Sequence, residues 1–547
     1  MQPLIATEAE RAAALAGFVD VLERELRPLH IAFNESAWQM NVTGERRHEQ
    51  DCERLKLAIH AVLSRDASTQ LLEDIAAAGG VADARLARQL TLLRHEHRAH
   101  RVPKELHERI VRLETQLEST FNNFRAELDG ARVSDNAVRE ILRDSNDSGA
   151  RQRAWEASKQ IGQRAAEDLK ALVRLRNQAA HALGYAHYYA MMLELDELDE
   201  RELFALLERV DEGTRPLWQD YKHALDTTLT ARFSVAASAL RPWHYSDPFF
   251  QEAPASAGVS LDPYFECQSL EALTESFFRA IGLELGDLLQ RADLYEKPGK
   301  SQHAFCMSVD RGADIRVLCN LRSNEYWMGT MLHEYGHAVY DKYVDPALPY
   351  FLRTHAHILT TEASAMLFGR LSKNAAWLVA YAGAPASEAL ARAEALARAT
   401  RAQLLVQTRW ELVMCHMERA LYQDPEQDLD TLWWDLVERY QWVPRPEERH
   451  APDWASKLHF SIAPVYYQNY LLGEIMASQL QATLLGEVLG GDADIWSRYV
   501  TSPRVGEYLR ERLYRSGRCL DWRGTLMQAT GQALEPAAFV AELAGRA

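Results

Sequence analysis

The stretch that most constrains this chain is Met331-Leu332-His333-Glu334-Tyr335-Gly336-His337-Ala338-Val339-Tyr340, taken with Thr360-Thr361-Glu362-Ala363-Ser364. Residues four apart share one face of an α-helix, so a helix through His333 and His337 presents two imidazoles to one point. That spacing suits a tetrahedral zinc ion, one per chain, with Glu334 beside it as general base. A hydrolytic zinc also needs a third protein ligand and one open position for water. Glu362, 25 residues after His337, is the candidate, on a segment that reads as a second buried helix. The bland alternative is a solvated helix face that happens to carry two histidines and a glutamate. Against it, Trp327, Met328, Met331 and Leu332 precede the motif's core and Ala338, Val339 and Tyr340 follow it. Charged residues on such a helix would be buried without purpose, and Gly336 permits close approach of another segment.

Composition sets the fold class. Glycine (27) and proline (19) make about 8% of 547 residues, against roughly 12% in an average protein. Scarce turn formers favour long helices over a many-stranded sandwich, so a mainly α fold with a large core is expected. A net charge of −17 argues against nucleic acid or an anionic membrane as partner. No apolar run approaches the roughly 18 residues of a membrane span. The first residues lack a basic segment followed by an apolar one, so no signal peptide is expected and the expected location is the cytoplasm. Six scattered cysteines without a C-x-x-C pair read as free, mostly buried thiols, although Cys306 and Cys319 flank a hairpin and could pair.

Along the chain, helical periodicity is expected at 7–30, 50–63, 81–100, 104–129, 135–143, 149–183 and 199–228. His95, His97, His100 and His107 sit among arginines and glutamates and read as a solvated charged face. Residues 1–130 read as helices with no evident chemistry, a candidate lid. From 241 to 265 four prolines interleaved with aromatics predict an ordered loop, and helix returns at 268–290. One strand pair, 302–309 and 314–321, turns at Asp310-Arg311-Gly312-Ala313 and leads into the motif helix, where its edge could hold an extended peptide. Helices follow at 375–422 and 430–441. Then Lys457-Leu458-His459 precedes a helix on which Tyr467 and Tyr470 share a face.

With these residues located, the chain resembles the angiotensin-converting-enzyme (peptidyl-dipeptidase A) family of gluzincin zinc metallopeptidases, in a bacterial-type single-domain form. Phe33-Asn34-Glu35-Ser36-Ala37-Trp38-Gln39-Met40-Asn41-Val42-Thr43 is similar to an early lid-helix motif, and Arg518, Trp522 and Ala529-Thr530-Gly531 echo the last helices. The resemblance implies one peptidase domain over 1–547, two helical lobes flanking a deep central channel, and a small antiparallel sheet beside the zinc helix. It places the zinc site in 300–370 and a substrate and oxyanion segment in 455–480. It implies substrate contacts by His303 through its side chain and Ala304 through its backbone, a terminal-carboxylate anchor of Lys457 and Tyr467, and an oxyanion site of His459 and Tyr470.

The resemblance has departures. Asn469 stands where the family has an arginine involved in chloride activation, so chloride is a doubtful cofactor. One extra residue separates His459 from the tyrosine pair, which lets Tyr466 compete with Tyr467. The family's glutamine on the terminal carboxylate, expected just after Trp243, has no clear match. Met366 replaces an aspartate four residues past the third ligand, so the support of His333 must come from another group. Gln302 replaces a disulfide cysteine. The expected activity is release of C-terminal dipeptides from short peptides with a free C-terminus. An oligoendopeptidase of thimet or oligoendopeptidase F type, or an inactive helical binding protein, are the alternatives. Oligomeric state is not legible.

Overall fold

The structure is a computed structural model, and it describes residues 7–254, 260–491 and 494–546. Those residues form 21 α-helices and two small antiparallel hairpins, a mainly α fold. The chain divides into two compact units. One comprises Met1–Arg101, Val259–Ala397 and Leu472–Ala538, the other Val102–Gly258, Arg398–Leu471 and Phe539–Ala547.

The first unit opens on one continuous helix, Glu8–Thr43, rather than the expected 7–30. It is capped at its start by Thr7 and Glu10 and at its end by left-handed Gly44. Pro28 lies inside it. Proline removes one backbone hydrogen bond, but burial on both sides keeps the helix running. Leu15, Val19, Leu22 and Leu26 join a core with Leu72, Leu93 and Phe351. Trp38 and Val42 pack on Leu318 of the second hairpin, with Phe305 and Met307 beside them. That hairpin pairs Phe305–Ser308 with Ile315–Leu318, shorter than the sequence suggested. Asn34 ties the helix to it by donating to the carbonyls of Ser308 and Val309 at 3.3 and 3.0 Å.

Several expectations are corrected. His97 is fully buried against Phe18, ring centres 5.9 Å apart, so it is no part of a solvated face. The expected helix 104–129 stops at Asn123, and Ala126–Leu128 pairs with Ala131–Val133 around Asp129-Gly130, both at positive φ. The expected 268–290 helix is Leu270–Ala280, ended by left-handed Gly282. The expected 375–422 helix is two, Ala375–Ala380 and Ala386–Gln423, separated at Gly383 and Pro385. Missed helices include Asp66–Ala77, Tyr188–Leu195 and Pro503–Leu509.

The motif helix runs Glu325–Tyr343, started by Asn324, whose side chain accepts from the Trp327 amide. Met328, Met331, Leu332, Tyr335, Val339 and Tyr340 are inaccessible to solvent. Each such side chain contributes about 1.5–3 kcal/mol of burial. Its partner is Ile358–Gly369, almost every residue of which is buried. The two helices approach at Gly336, where an added Cβ would lie 2.6 Å from the Cα of Ala365. Only a residue without a side chain allows that contact.

Candidate active site

In the first unit the motif helix and the Ile358–Gly369 helix bring His333, His337 and Glu362 together, with one donor atom from each all lying within 4.8 Å of one another. Nε2 of His333 is 3.7 Å and Nε2 of His337 is 3.9 Å from the same Glu362 oxygen. A tetrahedral zinc with bonds of about 2.0–2.1 Å spaces its ligand atoms by roughly 3.3 Å, so the donor set fits that ion in both chemistry and spacing. Among the described residues this is the only group of three or more such side chains so arranged.

Electrostatics agree with a cation site. Burial pulls the His333 imidazole down to about 4, and burial with the neighbouring His333 and His355 holds His337 well below its ordinary value. Both rings are therefore neutral at pH 7, the form that binds a metal. Glu334, one residue from His333, is pushed up to about 8 by burial and by the Glu362 carboxylate. Gly473 lets the Tyr467–Thr483 helix pack on Glu362, since a Cβ there would meet the Cβ of Glu362 at 3.0 Å.

His303 and Ala304 lie just before the strand rather than in it, and His303 is exposed. The Ser301 amide donates to the Asn41 carbonyl at 2.7 Å, fixing the start of this segment to the first helix.

In the second unit Lys457, His459 and Tyr467 form another cluster. Lys457 Nζ donates to Gln251 Oε1 at 2.9 Å and lies 5.1 Å from the ring centres of Phe249 and Trp410. Burial pulls its ammonium down to about 8, partly opposed by Asp247. The His459 ring is 5.0 Å from Tyr467, and Tyr470 packs edge-on to both Tyr466 and Tyr467. Tyr467 is buried, while Tyr466 and Tyr470 are half-buried. Burial pushes the Tyr467 phenol up, and a hydrogen bond with Trp410 opposes it.

Gln251 is the residue the sequence reading missed. It stands 206 positions from Lys457 and eight beyond Trp243. The loop that presents it is built by the buried Asp247, whose carboxylate accepts from the amides of Phe249, Gln251 and Glu252. Gln441 donates to the carbonyls of Phe249 and Phe250. The available signal was Asp247-Pro248, a turn former two residues before an aromatic pair. The turn before the tyrosine helix is equally built. Val465, a β-branched residue at φ +57°, is held there by the buried Glu418 on its amide and by Gln468 on its carbonyl.

Comparison with protein families decides the class. The model of peptidase family M3 matches residues 141–545, a span holding the histidine pair, Glu334 and Glu362. The chain belongs to this family. The model for angiotensin-converting enzyme matches residues 8–238, the helices ahead of the metal cluster. Together they mark a gluzincin metallopeptidase of the angiotensin-converting-enzyme and M3 type, for which zinc and peptide substrates are implied. No curated protein matches the chain. No helix among the described residues is long and apolar enough to cross a membrane.

Proposed function

We propose that this M3 peptidase is a peptidyl-dipeptidase, removing dipeptides from the carboxyl end of short peptides. The reading is carried by Lys457, a largely buried ammonium whose hydrogen-bond acceptor is a neutral amide, in the Lys457-x-His459 element. A cation so placed suits a peptide's terminal carboxylate. Gln251 accepts from Lys457 through Oε1, which leaves its Nε2 to donate to that carboxylate, and Tyr467 adds its hydroxyl. An anchor at the peptide's end sets the cut a fixed distance back along the chain, and two residues give a dipeptide.

His333, His337 and Glu362 would hold the zinc in this reading, and the ion would supply a Lewis acid that lowers the pKa of a water toward about 7. Glu334, held largely protonated by burial and the Glu362 carboxylate and ionised by a cation bound beside it, takes the proton of the attacking water as a carboxylate and returns it to the leaving amine. His459 and Tyr470 donate to the developing oxyanion, a kind of contact whose loss typically raises the barrier by about 2.7–4 kcal/mol. His303 and the Ala304 backbone hold the substrate strand. Chloride has no assigned role. The 1–130 segment is proposed as lid helices, 300–370 as the zinc segment and 455–480 as the carboxylate and oxyanion segment of a single peptidase domain.

The M3 match is equally compatible with a second reading, an oligoendopeptidase with the same chemistry and no terminal anchor. Mass spectrometry of products from paired free and C-terminally amidated peptides separates the two. Dipeptides from free peptides, with amidated ones resistant, support the dipeptidase. Equal cleavage of both, at internal bonds, rejects it.

A further inference from the structure

Nδ1 of His337 lies 2.7 Å from the hydroxyl of Thr361, the residue immediately before Glu362. Its other nitrogen, Nε2, faces the Glu362 carboxylate. A histidine that binds a cation through Nε2 carries its hydrogen on Nδ1 and must donate it somewhere, and the acceptor fixes both the tautomer and the ring's rotation. Here that acceptor is a neutral hydroxyl.

The carboxylate that could have served is committed elsewhere. Asp341, one turn beyond His337 on the same helix, bonds to His355 Nδ1 at 3.1 Å. Thr361 is also held rigidly. It is 3% exposed, and its neighbours stitch the same two helices together. Thr360 Oγ1 bonds Tyr340, and Ser364 Oγ donates to the Gly336 carbonyl at 2.9 Å. With the close approach at Gly336, the backbone of Thr361 has nowhere to drift, so the hydroxyl's position is set by helix packing.

We infer that Thr361 is a positioning residue for the metal centre, orienting His337 through a neutral hydrogen bond in place of the carboxylate that more often supports a ligand histidine. The inference rests on the ligand set proposed above. A hydroxyl orients the ring without adding negative charge, so the ion's charge is offset by Glu362 alone among its ligands, which keeps it a stronger Lewis acid.

The test is zinc affinity, measured on the full chain by competition with a chromophoric chelator, using zinc ions alone. Thr361→Val keeps the shape and removes the hydroxyl; Thr361→Ser keeps the hydroxyl. The valine variant is expected to bind zinc about 10- to 100-fold more weakly, the usual range for losing such a partner, and the serine variant within a few-fold of the parent. Thr361→Ala repeats the test should the valine variant not fold. Parental affinity in the valine variant, with His337→Ala strongly weakened, overturns the role of Thr361 alone. Parental affinity in both overturns the metal centre with it. Equal weakening in the valine and serine variants also overturns it, because packing rather than the hydroxyl would then be at work.

Discussion

The metal cluster of the first unit and the lysine cluster of the second gather opposite kinds of group. Around His333, His337 and Glu362 the folded chain gathers acceptors, and burial favours the neutral forms of the two imidazoles and of Glu334. Around Lys457 it gathers a cation, a neutral amide and two ring faces. Lys300, in the first unit, shows what a satisfied buried charge looks like. Its ammonium donates to the carbonyls of Asp293, Tyr295 and Cys319 and pairs with the Asp293 carboxylate at 2.7 Å. A lysine has three N–H donors, so Lys300 has none to offer a ligand, whereas Lys457 has. Buried charge left open by its own surroundings is the mark of a site, and buried charge closed by them is the mark of scaffold.

This contrast can be broken in four ways. The largest effect belongs to the metal cluster. Glu334→Gln should lower kcat by about 10²- to 10⁴-fold, the share of a general base, with zinc content by metal analysis unchanged. A loss confined to KM would move the chemistry elsewhere. Next, Lys457→Met should lower kcat/KM for free peptides by about 30-fold or more, from roughly 2 kcal/mol for removing one partner of a buried charge contact. The loss should appear in KM, and amidated peptides should be indifferent to it. Third is pH. Lys457 carries its charge below about 8 and loses it above, so its attraction for a carboxylate is fully present at pH 7. KM for free peptides should rise toward tenfold per pH unit above about 8, and the rise should vanish in Lys457→Met. The smallest effect on catalysis is that of Lys300→Met. It should cost about 3 kcal/mol in denaturant unfolding, because Asp293 loses one of its two lysine partners and the carbonyls of Tyr295 and Cys319 lose a donor, yet leave kcat and KM near the parent's.

The metal cluster was legible because its logic is local: the spacing of His333 and His337 is one helical turn, and Glu362 follows on the next helix. The mainly α class was legible from scarce turn formers. Other features depended on what packs against them. The first helix was read only to residue 30, because its continuation through Trp38 and Val42 packs on the hairpin, a contact that no local pattern shows. The hairpin at Asp129-Gly130 carries a strong turn signal, but its strands are three residues each, too short for alternation to show against the helical pattern before them. Gln251 could not be read at all from the positions beside Trp243, because a loop built on Asp247 carries it there from further along the chain. The hydroxyl on His337 was equally out of reach: a threonine beside a ligand looks like any helical threonine until the helices are packed.

The absence of a side chain at Gly336 has a consequence for how the protein meets its metal. Two helices in backbone contact, stitched by Thr360 and Ser364, cannot spread apart to admit or release an ion. The convergence of imidazoles and carboxylate is completed when the core forms, before any cation arrives. Stripping and reloading should therefore leave the helical signal unmoved throughout, and scarcity of zinc should leave an idle but intact enzyme ready to resume.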